Sequence, residues 1–109
     1  MQIKINTQHF QLRPDQEAAI TKKLEHLAKL GARLSDESSE IKVDLIHEES
    51  RSQADAYRCQ VTFFVPLQTL RAEARSSRIE NAVDEVIDKL KTQIERYKAK
   101  LHHFDKRSP

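Results

Sequence analysis

The sequence predicts an α+β protein, a two-layer sandwich in which a four-stranded mixed sheet carries two helices on one face, in the order β-α-β-β-β-α. Two observations lead to this prediction. Apolar residues alternate with polar ones in four segments, and they recur at spacings of three and four in two others. The strand segments also have one apolar and one polar face, so both helices are expected to cover the same apolar face. A length of 109 residues favours a single domain.

The first strand and the first helix are predicted from the opening of the chain. Ile3 and Ile5 alternate with polar neighbours, as in a half-buried strand. Pro14 suits the first turn of a helix, and the apolar stripe of that helix consists of Ile20, Leu24, Leu27 and Leu30. Gly31, the only glycine, falls where a helix commonly ends.

Three strands and a long helix follow. The strands are predicted in "EIKVDLIH", "AYRCQVTFFV" and "TLRAEAR", with a polar loop after the first and a turn at 66–68 after the second. The first strand–helix–strand unit should form a right-handed parallel crossover, and the later strands an antiparallel meander. Ser77 and Glu80 fit a capping box that opens the last helix. We predict a single α+β domain, residues 1–104, followed by a short flexible basic tail, 105–109.

Charge is distributed unevenly along the chain. The formal net charge is only +2. However, the segment 35–55 contains seven acidic and two basic side chains, whereas the segment 87–107 contains seven basic and three acidic ones. This polarity suggests one surface that meets a polyanion and another that is kept away from it.

The composition also indicates the cellular compartment and limits the kinds of catalytic or metal-binding site that the protein could contain. Cys59 is the only cysteine, which excludes an internal disulfide and favours a reducing compartment. No apolar run approaches the roughly 20 residues that span a bilayer, and the start of the chain lacks a signal peptide, so a soluble cytoplasmic protein is predicted. Cys59 is expected to be a buried structural thiol, and the histidines lack metal-binding spacings. No catalytic residue, metal or cofactor is therefore predicted.

Basic residues on the two helices are the candidate functional groups. In the last helix a spacing of seven and then four keeps three of them on one side, and those of the first helix are expected to point outward. If the helices lie side by side, these residues form one basic surface that could neutralise phosphates. The alternative is an ordinary solvated charged face. The candidates are Lys22, Lys23, Lys29, Arg33, Lys89, Arg96 and Lys100.

The order and spacing of several segments resemble those of the ribosome hibernation factors, the family of the short hibernation-promoting factor and of the ribosome-associated inhibitor called protein Y. The segments that carry the resemblance are "MQIKINTQHFQLRP", "KKLEHLAKL", "CQVTFFVP…TLRAEA" and "AVDEVIDKLKTQIERYKAKL". Together they cover about residues 1–102, nearly the whole chain.

The resemblance implies a protein without enzymatic activity whose domain binds the small ribosomal subunit between head and body. It would occupy the channel of messenger RNA and of transfer RNA at the A and P sites, and preserve idle ribosomes under stress or in stationary phase. The implied partners are the small subunit and its ribosomal RNA, with a separate ribosome-dimerising factor left open, and neither a membrane nor a small-molecule substrate. Basic family positions that bind ribosomal RNA match Lys23, Lys29, Lys89, Arg96 and Lys100.

The chain departs from the family pattern at several points. Two basic family positions are Thr92 and His26 here, which implies a partly weaker or pH-dependent contact with RNA. The final hairpin turn lacks the usual glycine. The chain ends at Pro109, without the linker and dimerisation domain of long-form factors, so it is not expected to pair ribosomes through a second domain of its own.

Two other classes of function stay open from the sequence. The last three strands and the final helix resemble the topology of a double-stranded-RNA-binding domain, so a module that binds RNA duplexes away from the ribosome is one alternative. A protein-interaction domain or an enzyme is the other. The outer face of the sheet could pair with a protein partner through Arg58, Gln60, Thr62 and Phe64, whereas an enzyme would need a reactive cluster, and the sequence shows none.

Overall fold

The computed structural model describes residues 2–30, 40–49, 52–66 and 68–107, with the side chains of the last helix described as far as residue 100. The predicted order of strands and helices is confirmed. The elements are β1 (Gln2–Gln8), α1 (Pro14–Lys29), β2 (Glu40–His47), β3 (Tyr57–Val65), β4 (Gln68–Ser76) and α2 (Ile79–Arg107), with a short 3-10 turn at Gln53–Asp55.

The four strands form one sheet in the order β1-β2-β3-β4. β1 pairs in parallel with β2, with Ile3 opposite Ile41 and Ile5 opposite Val43. β2 and β3, and then β3 and β4, pair antiparallel. The predicted parallel first pair and antiparallel meander are therefore confirmed, and β1 and β4 are the two edge strands.

A single hydrophobic core lies between the sheet and both helices. The alternate apolar residues of β2, β3 and β4 point into it, and α1 and α2 cover it from the same side, as predicted. Its largest fully buried side chains are Phe63, Leu24, Leu27, Ile41, Leu45, Leu70, Leu90 and Ile94. The opposite face of the sheet is largely polar. Thr62 is nevertheless only 5 % exposed on that face, because its cross-strand neighbours are the long side chains of Lys42 and Arg71.

The starts of the two helices are joined by one glutamine. Pro14 occupies the first turn of α1, and the side-chain oxygen of Gln16 accepts a hydrogen bond from the backbone N–H of Arg13 at 3.0 Å. The side-chain nitrogen of Gln16 donates to Glu80 at 2.6 Å. The predicted capping box at Ser77 is wrong by one residue, because the first intrahelical bond of α2 runs from Ala82 to the carbonyl of Arg78.

The ends of the helices also differ in part from the predictions. α1 ends at Lys29, with Leu30 as its C-cap, and Leu30 is 40 % exposed, so it does not continue the buried stripe. Gly31 lies outside the described residues. α2 includes residues 105–107 of the segment predicted as a tail, and the division into a domain 1–104 and a tail 105–109 stays a prediction.

Candidate nucleic-acid interface

The two helices lie side by side and run in the same direction on the sheet. Their first turns are joined by the Gln16–Glu80 hydrogen bond. Further along, Lys23 forms an ion pair with Asp84 at 2.6 Å. Beyond the end of α1, the ammonium of Lys98 donates to the backbone carbonyl of Leu30 at 2.7 Å. The contacts define a groove between the helices along most of the length of α1.

Apart from the side that is buried in the core, the surface of α2 has three sides that differ in charge. The groove flank faces α1 and carries Asp84, Ile87, Lys91 and Lys98. The edge flank faces β4 and carries Lys89, Gln93, Arg96 and Lys100, which follow one another at spacings of four, three and four. The crest points away from the sheet and includes the exposed residues Glu85, Thr92 and Glu95, whereas Asp88 lies between the crest and the groove and lines the latter.

Contacts with the backbone of β4 fix the edge flank. The side-chain nitrogen of Gln93 donates to the carbonyl of Arg71 at 2.7 Å, and its oxygen accepts from the N–H of the same residue at 3.2 Å. One turn earlier, the ammonium of Lys89 donates to the carbonyl of Glu73 at 2.7 Å. α2 therefore runs antiparallel to β4 along the outer edge of that strand, and these contacts fix its rotation about its own axis.

This rotation separates residues that the sequence was expected to bring together. Lys89, Arg96 and Lys100 lie on the edge flank, on the side of α2 opposite to α1. Lys22 and Lys23 line the groove on the other side. Among the predicted residues, Lys89, Arg96 and Lys100 therefore lie on one side of α2 and the groove residues Lys22 and Lys23 on the other, with the crest of α2 between them.

The predicted residues differ in whether their charged groups already have a hydrogen-bond or ion-pair partner. Lys22, Lys29, Arg96 and Lys100 are exposed and form no hydrogen bond or ion pair with another described side chain. Lys23 is paired with Asp84 and Lys89 with a backbone carbonyl. Arg33 lies outside the described residues. The four unpaired cations can meet a phosphate without giving up a partner, and the role of all seven in binding RNA stays a prediction.

The groove between the helices combines an apolar floor with charged walls. Its volume is about 650 Å³, and Ala19, Leu27 and Ile87 form its apolar part. Lys22, Lys23, His26 and Lys91 supply basic groups, and Asp84 and Asp88 supply acidic ones. Within the described residues, Lys91 has no charge partner, so the groove holds an unpaired cation from each helix.

Three basic residues of this interface, Lys91, Lys98 and Arg71, are missing from the set predicted from the sequence. Lys91 follows Lys89 by two positions, and residues two apart lie about 200° from each other around a helix. Lys91 is therefore expected on a different side of α2 from the edge flank. Arg71 is expected from its strand position only on the outer face of the sheet. Its side chain is exposed and unpaired among the described residues, and its backbone holds Gln93, so it lies beside the edge flank.

The described residues offer no obvious reactive centre. Cys59 is completely buried, as predicted, and burial raises the pKa of its thiol to about 12. Within residues 2–30, 40–49, 52–66 and 68–100, no cluster of three or more His, Cys, Asp or Glu side chains has the arrangement of a metal site. None of the described helices is long and apolar enough to cross a membrane.

Comparisons with known proteins agree with this fold. A ribosomal subunit interface protein from Coxiella burnetii has a similar structure, with a TM-score of 0.74 and 23 % identity over 91 % of this chain and 99 % of that chain. The N-terminal domain of Thermus thermophilus Protein Y is also similar, with a TM-score of 0.70 and 20 % identity over 89 % of this chain and 99 % of that one. No curated protein matches the sequence significantly.

The sequence itself assigns the family. Residues 3–102 match the family described as Sigma 54 modulation protein / S30EA ribosomal protein. The match spans nearly the entire chain: it includes β1 except Gln2, the whole of α1 and of the other three strands, and α2 as far as residue 102. The resemblance inferred from the sequence is thereby confirmed, and the chain belongs to this family of ribosome-associated hibernation and modulation proteins.

Proposed function

We propose that this protein binds the small ribosomal subunit in the channel of messenger RNA and of A- and P-site transfer RNA, and so keeps idle ribosomes inactive under stress or in stationary phase. The observation that carries the proposal is the set of unpaired cations on the helical layer, Lys22, Lys29, Lys91, Arg96 and Lys100, in a chain of this family. A similar structure is named a ribosomal subunit interface protein, which supports the proposal.

The mechanism is steric occupation, stabilised by contacts with phosphates of ribosomal RNA. Exposed lysine and arginine side chains release counterions when they neutralise phosphates, so binding weakens as salt rises. Such contacts position a protein on RNA and carry no sequence information of their own. Recognition would therefore depend on the shape of the channel and on the spacing of its phosphates.

The proposal needs no catalytic step and no cofactor, and it places the protein in the cytoplasm with the ribosome. The only thiol is buried and stays protonated at neutral pH, which supports a role as a binding factor. An RNA-duplex-binding module away from the ribosome is the second candidate, because the antiparallel β2–β3–β4 meander followed by α2 has the topology of that class.

Co-sedimentation with purified small subunits tests the proposal. Arg96→Glu should weaken binding and reduce the slope of log affinity against log salt by about 1, because the variant can no longer neutralise one phosphate. Arg96 is exposed and unpaired among the described residues, so the substitution should not disturb the fold. Lys42→Glu is the matched control, since Lys42 is also exposed and has no partner among the described residues, but lies on the opposite face of the sheet.

The outcomes separate the two candidates. Weaker binding by Arg96→Glu together with unchanged binding by Lys42→Glu supports the helical layer as the RNA-binding surface. Equal effects of the two variants, or no effect of either, would contradict it. Binding of a free RNA duplex as tightly as of the small subunit would favour the module that acts away from the ribosome.

A further inference from the structure

The outer edge of β1 is the open edge of the sheet. No described strand pairs with it, whereas at the other edge Gln93 and Lys89 of α2 bind backbone groups of β4. β1 is seven residues long, contains no proline, and pairs with β2 in a register without a break. Its outward backbone N–H and carbonyl groups are therefore in a position to pair with an added strand.

The one charged residue of β1 does not protect this edge. Charged side chains, lysine above all, commonly keep an edge strand from pairing with another chain. The ammonium of Lys4, however, lies 3.2 Å from the carboxylate of Glu40. Glu40 belongs to β2, on the side of β1 that is away from the free edge. The ion pair therefore draws the charge of Lys4 over the sheet and away from the edge.

A groove lies between β1 and the start of α1. Its volume is about 250 Å³, and it is lined by Ile5, Thr7, Gln11, Leu12 and Glu17. Ile3 and Ile5 are only half-buried, although their partners on β2, Ile41 and Val43, are completely buried. An apolar side chain of an added strand would fill the groove and remove more of this apolar surface from water.

The flank of α1 beside this groove is acidic. Glu17 lines the groove, and Thr21 and Glu25 follow at spacings of four, which keep them on the same side of the helix. Both carboxylates are exposed and have no hydrogen-bond or ion-pair partner among the described side chains. They would repel a phosphate backbone and attract basic side chains. The charge of this flank therefore favours a basic protein segment over a nucleic acid.

We propose that the open edge of β1 binds an extended segment of a partner protein by strand addition. Backbone hydrogen bonds along β1 supply the affinity, and side chains on one face of the added strand supply the specificity. Alternate side chains of a strand share a face. The segment therefore has an apolar residue for the groove, with a basic residue two positions before it and another two positions after it to meet Glu17 and Glu25.

The inference goes beyond the proposed function and does not depend on it. None of the residues that form the edge, the groove or the acidic flank belongs to the set of cations on which that function rests. Binding at β1 also leaves the contacts between α2 and β4 in place, because they lie at the opposite edge of the sheet.

Two synthetic peptides, blocked at both ends, test the proposal by NMR titration of the isotope-labelled full chain. In TKTVTKT one valine and two lysines share a face, and in TETVTET glutamates replace the lysines. TKTVTKT should cause saturable shifts of the amides of residues 2–8 at millimolar concentration and slow their hydrogen exchange. TETVTET should bind about tenfold more weakly, because its carboxylates meet those of Glu17 and Glu25.

Variants of the acidic flank provide a second readout. Glu17→Gln with Glu25→Gln should weaken the binding of TKTVTKT about fivefold, because two charge pairs are lost. Glu85→Gln with Glu95→Gln is the matched control. It makes the same change of charge at exposed positions of α2, a helix that packs over β3 and β4, so affinity should be unchanged. Glutamine favours a helix about as well as glutamate, and circular dichroism confirms that the helices are retained.

Several outcomes would overturn the proposal. They are equal affinity for the two peptides, equal loss of affinity in the two double variants, shifts that are largest outside β1, and the absence of any saturable shift. Slow exchange of the β1 amides without peptide, together with a sedimentation coefficient that rises with protein concentration, would assign the edge to a second copy of this chain. That result would overturn the proposed partner.

Discussion

The carboxylate of Glu48 contacts two arginines on the outer face of the sheet, Arg58 and Arg75. Its carboxylate lies 3.3 Å from Nη2 of Arg75 and 3.8 Å from Nε of Arg58. Both arginine side chains are about three-quarters buried, and Arg58 reaches Glu73 as well, at 3.5 Å. Nε of Arg58 and Nη1 of Arg75 are buried without a hydrogen-bond partner among the described residues. One carboxylate therefore offsets much of the charge of two partly desolvated guanidinium groups.

Removing the charge of Glu48 should destabilise the protein. Glu48→Gln is expected to lower the free energy of unfolding by about 1–3 kcal/mol, because two partly buried guanidinium groups lose their shared counter-charge. Urea denaturation measures the change. Glu49→Gln is the matched control: Glu49 is the next residue and is exposed, so its substitution should change stability by less than about 0.5 kcal/mol. Equal losses in both variants would contradict the role assigned to Glu48.

Cys59 should be unreactive until the protein unfolds. Burial raises the pKa of its thiol to about 12, far above the ordinary value of 9.0, and the charge of Asp44 adds to the shift. At pH 8 the native thiol is therefore protonated and inaccessible, so alkylation by iodoacetamide should be slow in buffer and fast in concentrated urea. Reaction at the same rate under both conditions would contradict its burial.

The same shift predicts a loss of stability in alkaline solution. The pKa of the Cys59 thiol is higher in the folded protein than in the unfolded chain. Its contribution to the free energy of unfolding is therefore complete below pH 9. The contribution declines as the pH rises towards 12, because only the unfolded thiol ionises in this interval. Cys59→Ala, which has no group to ionise, should lose less stability over this interval than the original protein. A parallel decline in both proteins, measured by urea denaturation at several pH values, would assign the alkaline effect to other groups.

At the scale of elements, α2 acts as a cover for the edge of the sheet as well as for its face. Gln93 satisfies both backbone groups of Arg71, and Lys89 satisfies the carbonyl of Glu73. These are groups that an unpaired edge strand would otherwise present to solvent or to another chain. The helix therefore removes part of the tendency of β4 to pair with a foreign strand.

Gln93→Ala should weaken this cover. The variant lacks two hydrogen bonds to the backbone of Arg71, and its free energy of unfolding is expected to fall by about 1–2 kcal/mol. It should also aggregate faster on mild heating, measured by light scattering, because part of the β4 edge is exposed. Thr92→Ala is the control, since Thr92 is the adjacent residue and is exposed on the crest; its stability should be unchanged or slightly higher. Equal aggregation of both variants would count against the covering role.

The sequence was sufficient to predict the elements and the buried stripe of α2, but not which flank of that helix faces α1. Periods of two and of three to four residues predicted all four strands and both helices, because burial of one face imposes those periods. The flank of α2 that lies along β4 is identified by the contacts of Gln93 and Lys89 with backbone groups of that strand. Because nearly every residue has the same backbone N–H and carbonyl groups, no pattern of residue types in a sequence indicates that contact. The boundary residues, such as Ser77 and Leu30, also differed because helix ends are set by local hydrogen bonds.

At the scale of the whole molecule, α1 and α2 stabilise each other through one shared core. Leu24 of α1 and Leu90 of α2 are both completely buried in it. Leu24→Ala and Leu90→Ala should each lower the free energy of unfolding by about 2–5 kcal/mol. Each variant should still unfold in a single transition when followed by far-ultraviolet circular dichroism and by tyrosine fluorescence.

Leu30→Ala is the control for this prediction, because Leu30 is 40 % exposed and its truncation should cost much less. Two separate transitions in the Leu24 variant, one for α1 and one for the rest, would contradict a single cooperative unit.

The candidate interface was predictable in composition but not in arrangement. The excess of basic residues in the segment 87–107 directed attention to α2, and the structure shows exposed cations on that helix. The placement of these cations on two different flanks was not foreseen, because it depends on which flank of α2 faces α1. Lys98 and Lys89 show this most clearly: they lie nine residues apart on the same helix, yet one contacts Leu30 beyond α1 and the other contacts β4.

The two edges of the sheet differ in whether a helix already contacts the backbone of the edge strand. On one side, α2 already occupies backbone groups of β4. On the other side, β1 is the terminal strand, and no described strand pairs with its outer edge. An insertion, a fused peptide or an additional strand acquired in evolution could extend the sheet beside β1 without displacing a helix, whereas the same addition beside β4 would have to displace side chains of α2. An extension of the sheet beside β1 would therefore leave the contacts between α2 and β4 unchanged.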